Sequence, residues 1–151
     1  MEEEYTKLQK KYNLPGYNEM DKEFEISSID KPSFLLKKIL EKMQEQIAKN
    51  LHVLEEILQP DGASLSALYE FKAFNDHEKK EIFDVYKKLM IIMRQLSILI
   101  LENDETKQAR FISDFYKDWK NVKAKLIVFF NKLKESWEHD ARIDEKLNYM
   151  G

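Results

Sequence analysis

Apolar residues recur at spacings of three and four through most of the chain, a period that predicts helices rather than strands. Tyr5, Leu8 and Tyr12 share one side of a short helix over residues 2–12. Leu14-Pro15-Gly16-Tyr17 then specifies a turn, because Pro and Gly in succession break a helix. Met20 and Phe24 are four apart whereas Phe24-Glu25-Ile26 alternates, so residues 18–30 fit either a helical turn or an extended arm. A first long helix is predicted from Lys31 to Leu58, with Pro32 in the first turn, where its missing N–H costs nothing. Its apolar positions, from Leu36 and Ile39 to Ile57 and Leu58, occupy an arc of roughly 120°. Gln59-Pro60-Asp61-Gly62 ends it.

A shorter helix is predicted over Ser64–Ala73, with Leu65, Leu68, Tyr69 and Phe74 on its apolar side. Asn75 followed by Glu78 reads as a capping box opening a second long helix. Ile82, Phe83, Val85, Tyr86, Leu89, Met90 and Met93 line one side of it, and Asn103-Asp104 ends it. The third long helix runs from Glu105 to about Glu138. Its stripe is the clearest in the chain, from Phe111, Ile112, Phe115 and Trp119 to Phe130, Leu133 and Trp137. Ile143, Leu147 and Met150 suggest a terminal helix from Asp140. Three long amphipathic helices with short connections predict an all-α fold, an elongated antiparallel bundle with shorter N-terminal, central and C-terminal helices. At 1.5 Å per residue the long helices would span about 40 to 50 Å. Residues 1–151 read as one domain, in which the acidic segment 1–30 is an arm packing on the bundle.

Composition supports this reading. Only 3 glycines and 3 prolines occur in 151 residues, too few for a sheet protein with frequent turns. With 43% hydrophobic and 35% charged residues, the chain is too apolar for disorder. There is no cysteine, which excludes disulfides and thiolate metal sites and is compatible with a reducing compartment. Met1-Glu2-Glu3-Glu4 lacks the apolar core of a secretory signal. The longest apolar run, Leu89–Leu101, contains Arg94 and is shorter than the roughly 20 residues of a membrane span. The expectation is a cytoplasmic protein without a membrane segment. Net charge is −3, so whole-chain electrostatics do not call for nucleic acid. The charge is unevenly spread. Residues 1–30 carry eight acidic side chains against four lysines, and residues 107–134 carry eight basic groups against Asp114 and Asp118.

Candidate chemistry is sparse. The Glu-x-x-His pattern of helical di-iron sites is missing, although His52, His77 and His139 each have a glutamate four residues away: Glu56, Glu81 and Glu135. No nucleophile elbow or glycine-rich loop is present. The carboxylate pairs Glu55–Glu56 and Asp114–Asp118 project from polar arcs and read as solvated charge. Trp119 and Trp137 could wall a cofactor, but core packing accounts for them more simply. The expectation is therefore a non-enzymatic chain without a metal or cofactor. Arg110, Lys117, Lys125 and Lys132 lie along the back of the third helix, where a basic stripe can neutralise phosphates. Asp114 interrupts that stripe, and Phe115 and Trp119 lie on the opposite face.

The most unusual segment is Leu89–Leu101, which is apolar nearly all the way round. Ile91 and Ile98 are seven apart, with Arg94 between them, on the side that Asp84 and Lys87 occupy earlier in the helix. A helix apolar on all sides must be covered on all sides. The simpler account is that the N-terminal segment or the short central helix covers it. The functional account is a second copy or a protein partner, to which Met90 and Met93 would adapt. Two readings follow: a helical interaction protein that self-associates through Ile91, Arg94 and Ile98, or a nucleic-acid-associated factor using the third helix.

Leu14-Pro15, Glu23-Phe24-Glu25-Ile26, Leu58-Gln59-Pro60-Asp61 and Tyr86-Lys87-Lys88-Leu89-Met90 resemble segments of small helical archaeal proteins of unassigned function. The resemblance covers most of the chain. It implies an archaeal-type cytoplasmic origin and brings no activity and no site residues.

Overall fold

The computed structural model describes residues 1–60, 62 and 64–139, and these residues are helical with no strand among them. Six α-helices follow one another: α1 Glu2–Tyr12, α2 Tyr17–Phe24, α3 Leu35–Leu58, α4 Leu65–Lys72, α5 Asp76–Glu102 and α6 Glu105–His139. A 3₁₀ turn, Ile26–Ser28, follows α2. The terminal helix expected from Asp140 lies outside the described residues.

Local chemistry explains the boundaries. Asn13, Glu25 and Asn103 adopt the left-handed conformation with φ of 53–55° and close α1, α2 and α5. Asparagine tolerates this region better than other side chains do. The capping box of α5 forms: Asn75 Oδ1 accepts from the Glu78 N–H at 2.8 Å, and Glu78 Oε1 accepts from the Asn75 N–H at 3.0 Å. The buried Gln108 donates from Nε2 to the Leu99 carbonyl at 3.2 Å, so the end of α5 is tied to the start of α6. Of residues 18–30, undecided in sequence, those up to Phe24 are helical because Met20 and Phe24 bury on one side, and Ile26–Ser28 form the 3₁₀ turn.

Two expectations are corrected. The first long helix begins at Leu35, not Lys31, and Pro32 precedes it. Phe34 takes φ 52° and stops helical geometry from extending backwards. Pro32 itself disfavours the helical region for Lys31. The second correction concerns α4. Its buried residue is Ala67, whereas Leu65 is 78% exposed and Leu68 is 38% exposed. Tyr69 is partly buried: its hydroxyl donates to the Ser136 carbonyl, and its ring lies 4.1 Å from that of Trp137. Two turns of helix carry too few residues for the apolar positions to define a face.

One contiguous core draws on α1, α2, α3, α5 and α6. Ile39, Leu40, Met43, Ile47 and Leu54 of α3 are fully buried, and α3 touches α2, α4, α5 and α6. Helices α5 and α6 run in opposite directions, since Gln108 meets Leu99, Lys88 meets Asp118 and Lys132 meets Glu78. The N-terminal helices pack on α3 and α6. Phe24 is their anchor, 6.0 Å from the Phe115 ring and 5.9 Å from the Trp119 ring. Phe24→Ala should destabilise the protein by roughly 3–5 kcal/mol, against about 1 kcal/mol for Asn75→Ala. Urea unfolding of both variants checks the ranking; comparable losses would contradict the anchoring role of Phe24.

Candidate interaction surface

Helix α5 carries two apolar stripes. Ile82, Val85, Leu89, Ile92, Leu96 and Leu99 recur at alternating spacings of three and four and are buried against the rest of the chain. On the other side Phe83 is 51% exposed, Ile91 59%, Ile98 54% and Leu101 85%. At 100° per residue these four, with Met90, fall in a second arc of about 100° that does not overlap the buried one. Met90 and Met93 are partly buried at its edge and pack on the core. Lys87, Met90, Ile91, Arg94, Gln95 and Ile98 line a shallow open groove along the exposed stripe.

No described residue covers this stripe. The N-terminal helices lie on α3 and α6, and α4 lies on α3, so neither segment covers Ile91 or Ile98 as the simpler account required. The reason is positional. Helices α2 and α4 are drawn to α3, which has the most fully buried side chains, and α1 to α6.

The basic side of α6 is partly neutralised. Lys132 pairs with Glu78 and Lys107 with Glu102 at 2.7 Å, whereas the pair of Asp118 with Lys88 of α5 at 2.7 Å takes up an acidic group of α6. Arg110, Lys117 and Lys125 are exposed, with the exposed Asp114 between Arg110 and Lys117. Phe115 and Trp119 are buried and offer no stacking surface.

The remaining sites disperse. His52 lies 3.4 Å from Glu56 and His77 lies 3.2 Å from Glu81, both histidines on the surface. The His139 side chain falls outside those described. Among the described residues, no group of three or more His, Asp and Glu is placed to hold a metal ion. Trp119 and Trp137 do not share a pocket: Trp119 is buried beside Phe24, and Trp137 is 48% exposed beside Glu70. Every buried side-chain nitrogen and oxygen among the described residues has a hydrogen-bond partner. None of the described helices is long and apolar enough to cross a membrane.

Comparison with protein-family models, curated proteins and solved structures gives no match.

Sequence reading missed one polar constellation. Glu23 accepts from Trp119 Nε1 at 2.9 Å and from Lys123 Nζ at 2.8 Å. These partners lie about a hundred positions apart in sequence, and helical period cannot pair them. The signal was the opposite charge of residues 1–30 and 107–134, which this contact brings together. Partial burial opposes ionisation of Glu23, but the hydrogen bonds from Lys123 and Trp119 outweigh it and hold the carboxyl below its usual range. Nearby, the Tyr5 hydroxyl donates to the Pro15 carbonyl, and burial, reinforced by Glu19 and Tyr116, raises its pKa.

Folding therefore favours the charged form of Glu23. Its contribution is complete above the unfolded value of about 4.3 and is lost as pH falls through the lower folded value. Glu23→Gln should cost roughly 1 kcal/mol at pH 7. The gap to the parent should narrow as pH falls below about 4.3, read by urea titrations monitored through tryptophan fluorescence. A gap independent of pH would show that the charge of Glu23 is not what stabilises the contact.

Proposed function

We propose that this chain is a helical interaction protein without chemistry of its own, which self-associates through the exposed stripe of α5. In this reading α3, α5 and α6 form an elongated antiparallel bundle, and the shorter helices cover its sides and ends. The observation that carries it is the exposed apolar stripe of Ile91, Ile98 and Leu101, with Arg94 set within it, on a helix that already buries a full stripe inside. Single exposed aliphatics are ordinary on any surface. A row of them along several turns is the pattern by which one helix docks on another. A second copy is a sufficient occupant, because a two-fold contact requires only one self-complementary surface.

Sedimentation of the purified full chain tests this. A dimer is expected at micromolar concentration. Ile91→Asp should weaken it by about a hundredfold, since burying an unpaired carboxylate is costly, while leaving the helical circular dichroism unchanged. A monomer at high micromolar concentration, or a dimer indifferent to Ile91→Asp, would overturn the reading.

A further inference from the structure

We propose that the two copies meet along α5 in antiparallel orientation, about a two-fold axis passing between Arg94 and Gln95. The inference rests on self-association through α5 and specifies its geometry. In an antiparallel two-fold contact, residues equidistant from the axis face each other, and each such pairing occurs twice. Ile91 and Ile98 are equidistant from that point, so each meets the other on the opposite copy and two aliphatic pairs form. Arg94 comes opposite Gln95, whose amide oxygen accepts from the guanidinium.

The charges are also complementary. Lys87 and Glu102 lie equidistant further out, which puts an ammonium opposite a carboxylate at both ends of the contact. Both have capacity for this. Lys87 is exposed and makes no ion pair among the described residues. Glu102 uses Oε2 for Lys107 at 2.7 Å, which leaves Oε1 for a second cation. Helix α5 ends at Glu102, so the paired charges coincide with the end of the helix. The overlap from Lys87 to Glu102 is about 24 Å long.

The parallel alternative fails on the same residues. A two-fold axis gives parallel helices no stagger, so Lys87 would lie on Lys87 and Arg94 on Arg94. Like charges in one seam destabilise a helix pair.

Single cysteines test the orientation cleanly, because the chain has none of its own. Ile91→Cys and Ile98→Cys variants of the full chain are mixed and equilibrated in a glutathione redox buffer. Disulfide-linked species are then assigned by mass. The antiparallel register predicts that the mixed disulfide joining the two variants dominates. Two Ile91→Cys copies would hold their sulfurs about 10 Å apart along the axis, beyond disulfide reach. A companion sedimentation series uses the charges: Lys87→Glu should weaken the dimer roughly tenfold, and adding Glu102→Lys should restore it.

A dimer that Ile91→Asp dissociates, but that gives disulfides within each variant instead of between them, overturns the antiparallel register and leaves the α5 interface standing. Concentration-dependent growth beyond a dimer overturns the two-fold contact. A monomer, or a dimer that Ile91→Asp does not touch, overturns both the register and the interface.

Discussion

Ile39, Leu40, Met43, Ile47 and Leu54 form a column without solvent exposure along α3, and the neighbouring helices are placed by the need to cover it. A column of this kind requires neighbours on more than one side. Helices α5 and α6 supply two, and α2 and α4 pack against it as well. The choice has a geometric consequence. Only the central helix of such an arrangement is surrounded, and the peripheral helices each keep a side facing water. Helix α6 meets this condition for the most part, with Arg110, Lys117, Lys120 and Lys125 on its outer face beside the exposed Ile127 and Val128. Helix α5 meets it only in part, because Ile91, Ile98 and Leu101 stand where lysines would be expected.

The N-terminal segment shows how the same constraint operates through a single contact. Phe24 packs against the rings of Phe115 and Trp119, and Glu23 beside it takes the indole N–H of Trp119 and the ammonium of Lys123. An aromatic contact alone would leave the indole N–H without an acceptor in a partly buried setting. The adjacent carboxylate removes that cost and binds acidic and basic parts of the chain to one another. The uneven charge of the sequence is therefore, at this contact, internal complementarity between the two regions.

Much of the helical framework was legible because period and caps are local properties. Asn75 and Glu78 specify the start of α5 by themselves, and Phe111 to Leu133 specify the face of α6. What was not legible depended on tertiary position. Helix α3 starts after Phe34 because Ile29 and Leu35 must both reach the core around Pro32, a demand that no four-residue pattern encodes. Leu65 and Leu68, expected inside, stay exposed while Ala67 is buried, because two turns of α4 leave the choice of face to its neighbours. The apolar character of Leu89–Leu101 was visible at once, but whether the chain covers Ile91 and Ile98 depends on where α1, α2 and α4 dock. Those segments turn to α3 and α6, and the exposed stripe follows from that choice.

An exposed apolar stripe is a hazard as well as a surface, since it will accept any complementary helix. The stripe on α5 is not uniformly apolar. Lys87 and Arg94 are spaced along it so that many pairings would bring like charge onto like charge, or a charge onto an isoleucine. Polar residues within an apolar seam lower its affinity for every partner, but they lower it least for the arrangement that satisfies them. For two copies of α5 that arrangement is the one in which Arg94 meets Gln95 and Lys87 meets Glu102. In the proposed antiparallel pairing, the residues that look like interruptions of the stripe are the ones that select its occupant, and the isoleucines between them supply the affinity.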